Sequence, residues 1–140
     1  MKLTSGIREF HVANFKSYRD ASLKLSPLTL LIGPNASGKS NLVESVRLLS
    51  WLARGKQLDE ILRAVQDRDL AVRGSPGDLT HDEGDRYVLG CSIEPTALGA
   101  WTELRVELAI ARPGMRIVSE SIQGGSGSVP LYRLESPADG

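Results

Sequence analysis

The stretch LLIGPNASGKSNLVES, residues 30–45, limits what this chain can fold into more than any other. An apolar run ends in a glycine-rich loop, and helix-forming residues follow directly. Residues Gly33-Pro34-Asn35-Ala36-Ser37-Gly38-Lys39-Ser40 fit the spacing G-x-x-x-x-G-K-[ST]. A loop of this kind wraps an anion with successive backbone N–H groups pointing inward. Gly33 and Gly38 stand at its ends, where the backbone is expected to take angles that side chains forbid. The helix that opens behind the loop presents unpaired N–H groups carrying partial positive charge. Lys39 is placed to reach the β- and γ-phosphates of a nucleotide, and the Ser40 hydroxyl is a hard oxygen suited to Mg²⁺. The loop therefore predicts a strand before it, an amphipathic helix after it and a phosphate between them.

The flanking pattern agrees. IREFHVANF (7–15) reads as a strand with Phe10 and Val12 on one face, and ASLKLS (21–26) as its hairpin partner. LTLLI (28–32) is a continuous apolar run, as expected of a strand buried on both faces. From Gly38 onward, Leu42, Val43, Val46, Leu49 and Ala53 recur at helical spacing, and Gly55 is the expected stop. Leu58, Ile61, Leu62, Val65 and Leu70 mark a second helix.

RGSPGDLTHDEGD (73–85) is polar and glycine-rich, and after it the period of the pattern becomes twofold. RYVLGCSIE, WTELRVELAI, MRIVSESI and PLYRLE read as closely spaced strands, which fits an antiparallel meander. The expected organisation is a lobe over residues 1–73, a polar loop over 74–85, an antiparallel β arm over 86–135 and a tail over 136–140. The formal net charge is zero, so no strongly basic composition marks a nucleic-acid protein. Cys91 is the single cysteine, which excludes an internal disulfide. MKLTSGIREF lacks the apolar segment of a signal peptide, and no run approaches the length of a membrane span. These features lead to the expectation of a cytoplasmic protein.

The loop with Asn35 inside it and Asn41 after the serine, preceded by VANFKSY (12–18), resembles the N-terminal end of the ABC-type ATPase heads of SMC, RecF and OLD-like AAA-family proteins. The resemblance is specific from Ile7 to Leu52 and looser through the β arm. It implies an α/β P-loop NTPase fold, the N-terminal lobe of such a head with an antiparallel β subdomain. It implies a Walker A loop for ATP and Mg²⁺, and a homodimer of heads sandwiching the nucleotide. It also implies action in DNA repair or phage defence, with DNA or an effector nuclease as partner, and no membrane. Lys16 and Ser17 would then lie beside the nucleotide. Read from the residues alone, they are equally a polar turn at a strand end.

Hydrolysis further needs a carboxylate for Mg²⁺ and a residue to orient water. The look-alikes are weak. Glu94 in YVLGCSIEP follows Ile93 where an Asp should stand, and IQGGSGS (122–128) with Gln123 reads as a hairpin loop. HDEGD (81–85) reads as a solvated turn, His11 as packing and Cys91 as a buried hydrophobe. The expectation is therefore the first lobe of a larger ATPase, whose site is completed by residues outside this stretch. The alternative is a nucleotide-binding module that does not hydrolyse, or a subunit completed by a partner. A GTPase would carry an Asn-Lys-x-Asp reader, which is absent, and a kinase would need further βα units.

Overall fold

The structure, a computed structural model, describes residues 6–66, 72–82, 84–94, 101–111, 114–124 and 129–137. Strand β1 (Ile7–Phe15) pairs with β2 (Tyr18–Lys24) across the two-residue turn Lys16-Ser17, with Phe15 opposite Tyr18. Helix α1 (Lys39–Ala53) follows the loop, and α2 (Leu58–Gln66) follows α1. Strands β3 (Arg86–Ile93), β4 (Trp101–Ala111), β5 (Gly114–Gly124) and β6 (Tyr132–Glu135) form the expected meander. All six strands share one antiparallel sheet in the order β2-β1-β3-β4-β5-β6.

The helices cover one face of that sheet: α1 lies on β1 and β3, and α2 on β5. Between them Phe10, Val12, Leu89, Val106 and Leu108 meet Leu42, Leu48, Leu49, Ile61 and Val65. Asn14, at φ +53, breaks the alternation of β1, so that Phe15 turns inward and packs edge-on against Tyr87 at 5.4 Å. Short polar residues such as Asn tolerate this backbone region better than others.

Three expectations need correction. Residues 28–32 form no strand: Leu30 is 72% and Ile32 90% exposed. A strand buried on both faces needs a neighbour and a cover, and the sheet order leaves none beside this run among the described residues. The apolar face of α1 is also rotated from its expected position. Leu42, Glu44, Ser45, Leu48 and Leu49 are buried, while Val43 and Val46 are exposed, Val43 lining a cleft together with Leu31. Third, β2 starts at Tyr18 rather than residue 21, because the turn is tighter than the sequence suggests.

Segment 73–85 is more than a polar connection. A short 3-10 turn over Pro76–Leu79 buries Leu79, and Thr80 bridges Phe15. Two backbone bonds, Lys16 N to Leu79 O at 3.1 Å and His81 N to Asn14 O at 2.9 Å, fasten it to the end of β1. Leu70, Pro95, residues 112–113, residues 125–128 and residues 138–140 lie outside the described residues.

Candidate phosphate-binding site

Gly38 caps α1 with φ +90, as the loop spacing requires. A Cβ there would also stand 2.9 Å from Ser17 Oγ and 3.1 Å from the Tyr18 hydroxyl oxygen. Gly33 serves differently from the expectation. Its φ is not in the left-handed region; its constraint is space, since a Cβ would stand 3.0 Å from Ser37 Oγ. The left-handed position inside the loop falls instead on Ala36, at φ +64.

Lys39 lies across the loop. Its Nζ donates to Gly33 O at 2.7 Å, Pro34 O at 2.5 Å and Ser37 Oγ at 3.2 Å. The ammonium thus lies over the loop's own carbonyls. Ser40 is exposed one residue further along, and the first turn of α1 carries no acidic side chain to oppose an anion. Asn35 is exposed on the loop. These features fit a phosphate group: a cradle in which a Cβ would not fit freely, a helix N-terminus, a positioned ammonium and a hydroxyl.

The loop opens into a cleft of about 450 Å³ lined by Leu31, Lys39, Ser40, Val43, Glu44 and Arg73 among others. That is within the size range of small-ligand sites. Behind it, the turn between β1 and β2 grips the loop. Asn41 Nδ2 donates to Ser17 Oγ at 2.9 Å, and the Tyr18 hydroxyl donates to Gly38 O at 3.1 Å. Ser17 therefore sits against the loop. Lys16 sits next to it but points elsewhere, into a pairing with Glu44 and the carbonyl of Arg73.

Glu44 is buried and also accepts from Arg73 Nε at 2.6 Å. Burial works to raise its pKa; the hydrogen bonds from Lys16 and Arg73, with their charges, outweigh this and hold it below the ordinary carboxylate value. Tyr18, Glu44 and Arg73 are functional candidates that the sequence reading missed. An acidic residue four positions after Ser40, set within an otherwise apolar stretch, was the available signal for Glu44. For Arg73 there was none.

The look-alikes fall away from the site. Glu94 pairs with Arg8 at the opposite end of β1 from the loop, beside Ile7 and Ile93. Gln123 lies opposite Glu103, at that same far end of the sheet. His11 Nε2 donates to Asp20 Oδ1 at 2.9 Å on the sheet surface. Cys91 is buried, and its thiol is pushed up by burial and by Glu103. His81 is not simply solvated: its Nδ1 bonds the Lys16 carbonyl at 2.7 Å. Among the described residues no His/Cys/Asp/Glu group is arranged to hold a metal, and no helix is long and apolar enough to cross a membrane.

A glycine-rich loop that caps a helix, with lysine and serine at the helix start, fits an anion at that helix N-terminus. Residues 6–72 match the AAA ATPase domain family. The DNA replication and repair protein RecF of Gloeobacter violaceus is 45% identical over 69 residues, 49% of this chain and 16% of that protein. RecF of Synechococcus sp. (strain JA-3-3Ab) is 40% identical over 103 residues, 73% of this chain and 22% of that protein. Structural maintenance of chromosomes protein 1 of Arabidopsis thaliana is 38% identical over 74 residues, 49% of this chain and 6% of that protein. The N-terminal portion of the chain is thus similar to the N-terminal part of SMC/RecF-like AAA-family proteins, a nucleotide-binding ATPase family. The chain spans less than a quarter of the length of these curated relatives.

Proposed function

We propose that this chain binds ATP with Mg²⁺ through the loop Gly33–Ser40, as the nucleotide-binding part of an SMC/RecF-like ATPase acting on DNA. The observation that carries this reading is the convergence at the start of α1. Lys39 is held over the loop carbonyls, Ser40 is exposed beside it, and the helix N-terminus has no opposing acid. In this reading Gly33, Pro34, Asn35, Ala36, Ser37 and Gly38 supply backbone to the phosphates, and Ser40 supplies an oxygen to Mg²⁺. Bound Mg²⁺ would neutralise developing charge on the phosphates. Ser17 and Asn41 set the position of the loop from behind.

Hydrolysis, in this reading, draws on an acidic strand and a signature segment outside these 140 residues, the signature being supplied by a second head. The support is local. Glu44, the carboxylate one turn past Ser40, is committed to Lys16 and Arg73, and Glu94 lies at the far end of the sheet. The DNA role is drawn from the similarity to DNA replication and repair protein RecF.

Calorimetric titration with ATP, with and without Mg²⁺, tests the assignment. The wild-type chain should bind more tightly with Mg²⁺, and Ser40→Ala should lose most of that difference while keeping its Mg²⁺-free affinity. Equal losses in both conditions would remove the metal role from Ser40.

A further inference from the structure

Three chain segments that are distant in sequence meet at one carboxylate. Glu44 belongs to α1, one helical turn beyond Ser40 and on the same face. Lys16 comes from the β1–β2 turn, 28 residues away, and Arg73 from the segment after α2, 29 residues away. The side chain of Glu44 is 4% exposed and that of Lys16 10%. Lys16 Nζ bonds one Glu44 oxygen and the Arg73 carbonyl; Arg73 Nε bonds the other Glu44 oxygen. Each oxygen of the carboxylate thus faces a different segment, and the Lys16–Arg73 bond closes the triangle.

The backbone repeats the same connection. Lys16 N bonds Leu79 O, and its carbonyl accepts from His81 Nδ1. On the other side of the turn, Ser17 and Tyr18 touch Asn41 and Gly38, the residues that shape the loop. Moving Lys16 therefore moves Ser17 and Tyr18, and with them the cap of α1.

The geometry points to Glu44 as the positioning residue of the phosphate site: a charged clamp that seats the Lys16-Ser17-Tyr18 turn under the loop and fastens segment 72–80 at the rim of the cleft. This inference rests on the ATP-binding reading above for its functional half. A clamp and a simple counter-charge make opposite predictions. As a mere anion close to a phosphate site, Glu44 would repel ATP, and removing its charge would tighten binding. As a clamp, its loss loosens the loop and weakens binding.

Two variants separate these cases, each read for ATP affinity and for amide hydrogen exchange in the 140-residue chain. Glu44→Gln keeps the shape and removes the charge. Glu44→Asp keeps the charge and shortens the reach by one methylene. The clamp predicts weaker ATP binding in both, on the order of tenfold, as for other supporting contacts behind a ligand shell. It also predicts faster exchange at the amides of Lys16 and His81, with β3 and β4 amides unchanged. Tighter binding in Glu44→Gln, or wild-type affinity in Glu44→Asp, would overturn it. Should Glu44→Gln fail to fold, Glu44→Asp decides alone. If the wild-type chain binds no ATP, the nucleotide reading fails, and the exchange of Lys16 and His81 still decides whether the clamp exists.

Discussion

Ala36 carries a side chain where the loop backbone is left-handed, at φ +64. For a residue with a Cβ this conformation costs about 1 kcal/mol relative to glycine. Ala36→Gly should therefore raise folding stability by up to about 1 kcal/mol, less whatever the extra freedom of the unfolded chain takes back. Thermal unfolding of the pair measures it, and a clear loss of stability in Ala36→Gly would contradict the strain assigned to this position. The lysine and serine of the loop were legible because their spacing is fixed by the phosphate they would serve. The two glycines were legible as a pair but not in their separate roles: backbone freedom at Gly38, room for Ser37 at Gly33. That distinction depends on local geometry, which spacing alone does not encode.

Strands and helices divide in the same way at the scale of elements. The antiparallel order of β3, β4 and β5 was readable because the strands are closely spaced and their period is two; the register shifts between β4 and β5 were not. Run 28–32 was misread because its apolar character describes an environment, not an element, and that environment is absent among the described residues. The face of α1 was misplaced because the helix meets the sheet through Leu48 and Leu49, while Val43 borders the cleft. Segment 73–85 looked polar because Leu79 is a single apolar residue among charges and glycines. Its burial at 0% exposure makes it an anchor. Leu79→Ala should cost about 2–5 kcal/mol, measured by denaturant unfolding, as for other buried leucines. A change under about 0.5 kcal/mol, as for a surface site, would show that this segment is not part of the core.

Across the whole molecule, the ion-paired cluster around Glu44 links the loop helix, the hairpin turn and the segment before β3. Its pH dependence has a definite sign. Glu44 has a folded-state pKa below its unfolded value of 4.5, so it binds fewer protons when folded than when unfolded as pH falls. Its stabilising contribution is complete above that value and is lost as pH drops through the lower folded-state value. Asp78, lowered by hydrogen bonds from Ser75, acts in the same direction. The stability difference between wild type and Glu44→Gln should therefore be constant near neutrality and shrink below about pH 4.5. Thermal unfolding across that range reads it, and a difference that grows on acidification would contradict the pairing.

The nucleotide assignment itself depends most on Lys39, whose ammonium lies over the loop. Equilibrium titration of ATP into the wild-type chain and into Lys39→Ala is the direct measurement. A charge-assisted phosphate contact contributes about 2 kcal/mol, so affinity should fall roughly thirtyfold in the variant while its unfolding temperature stays close to wild type. Equal ATP affinity in the two proteins would contradict the phosphate-loop account.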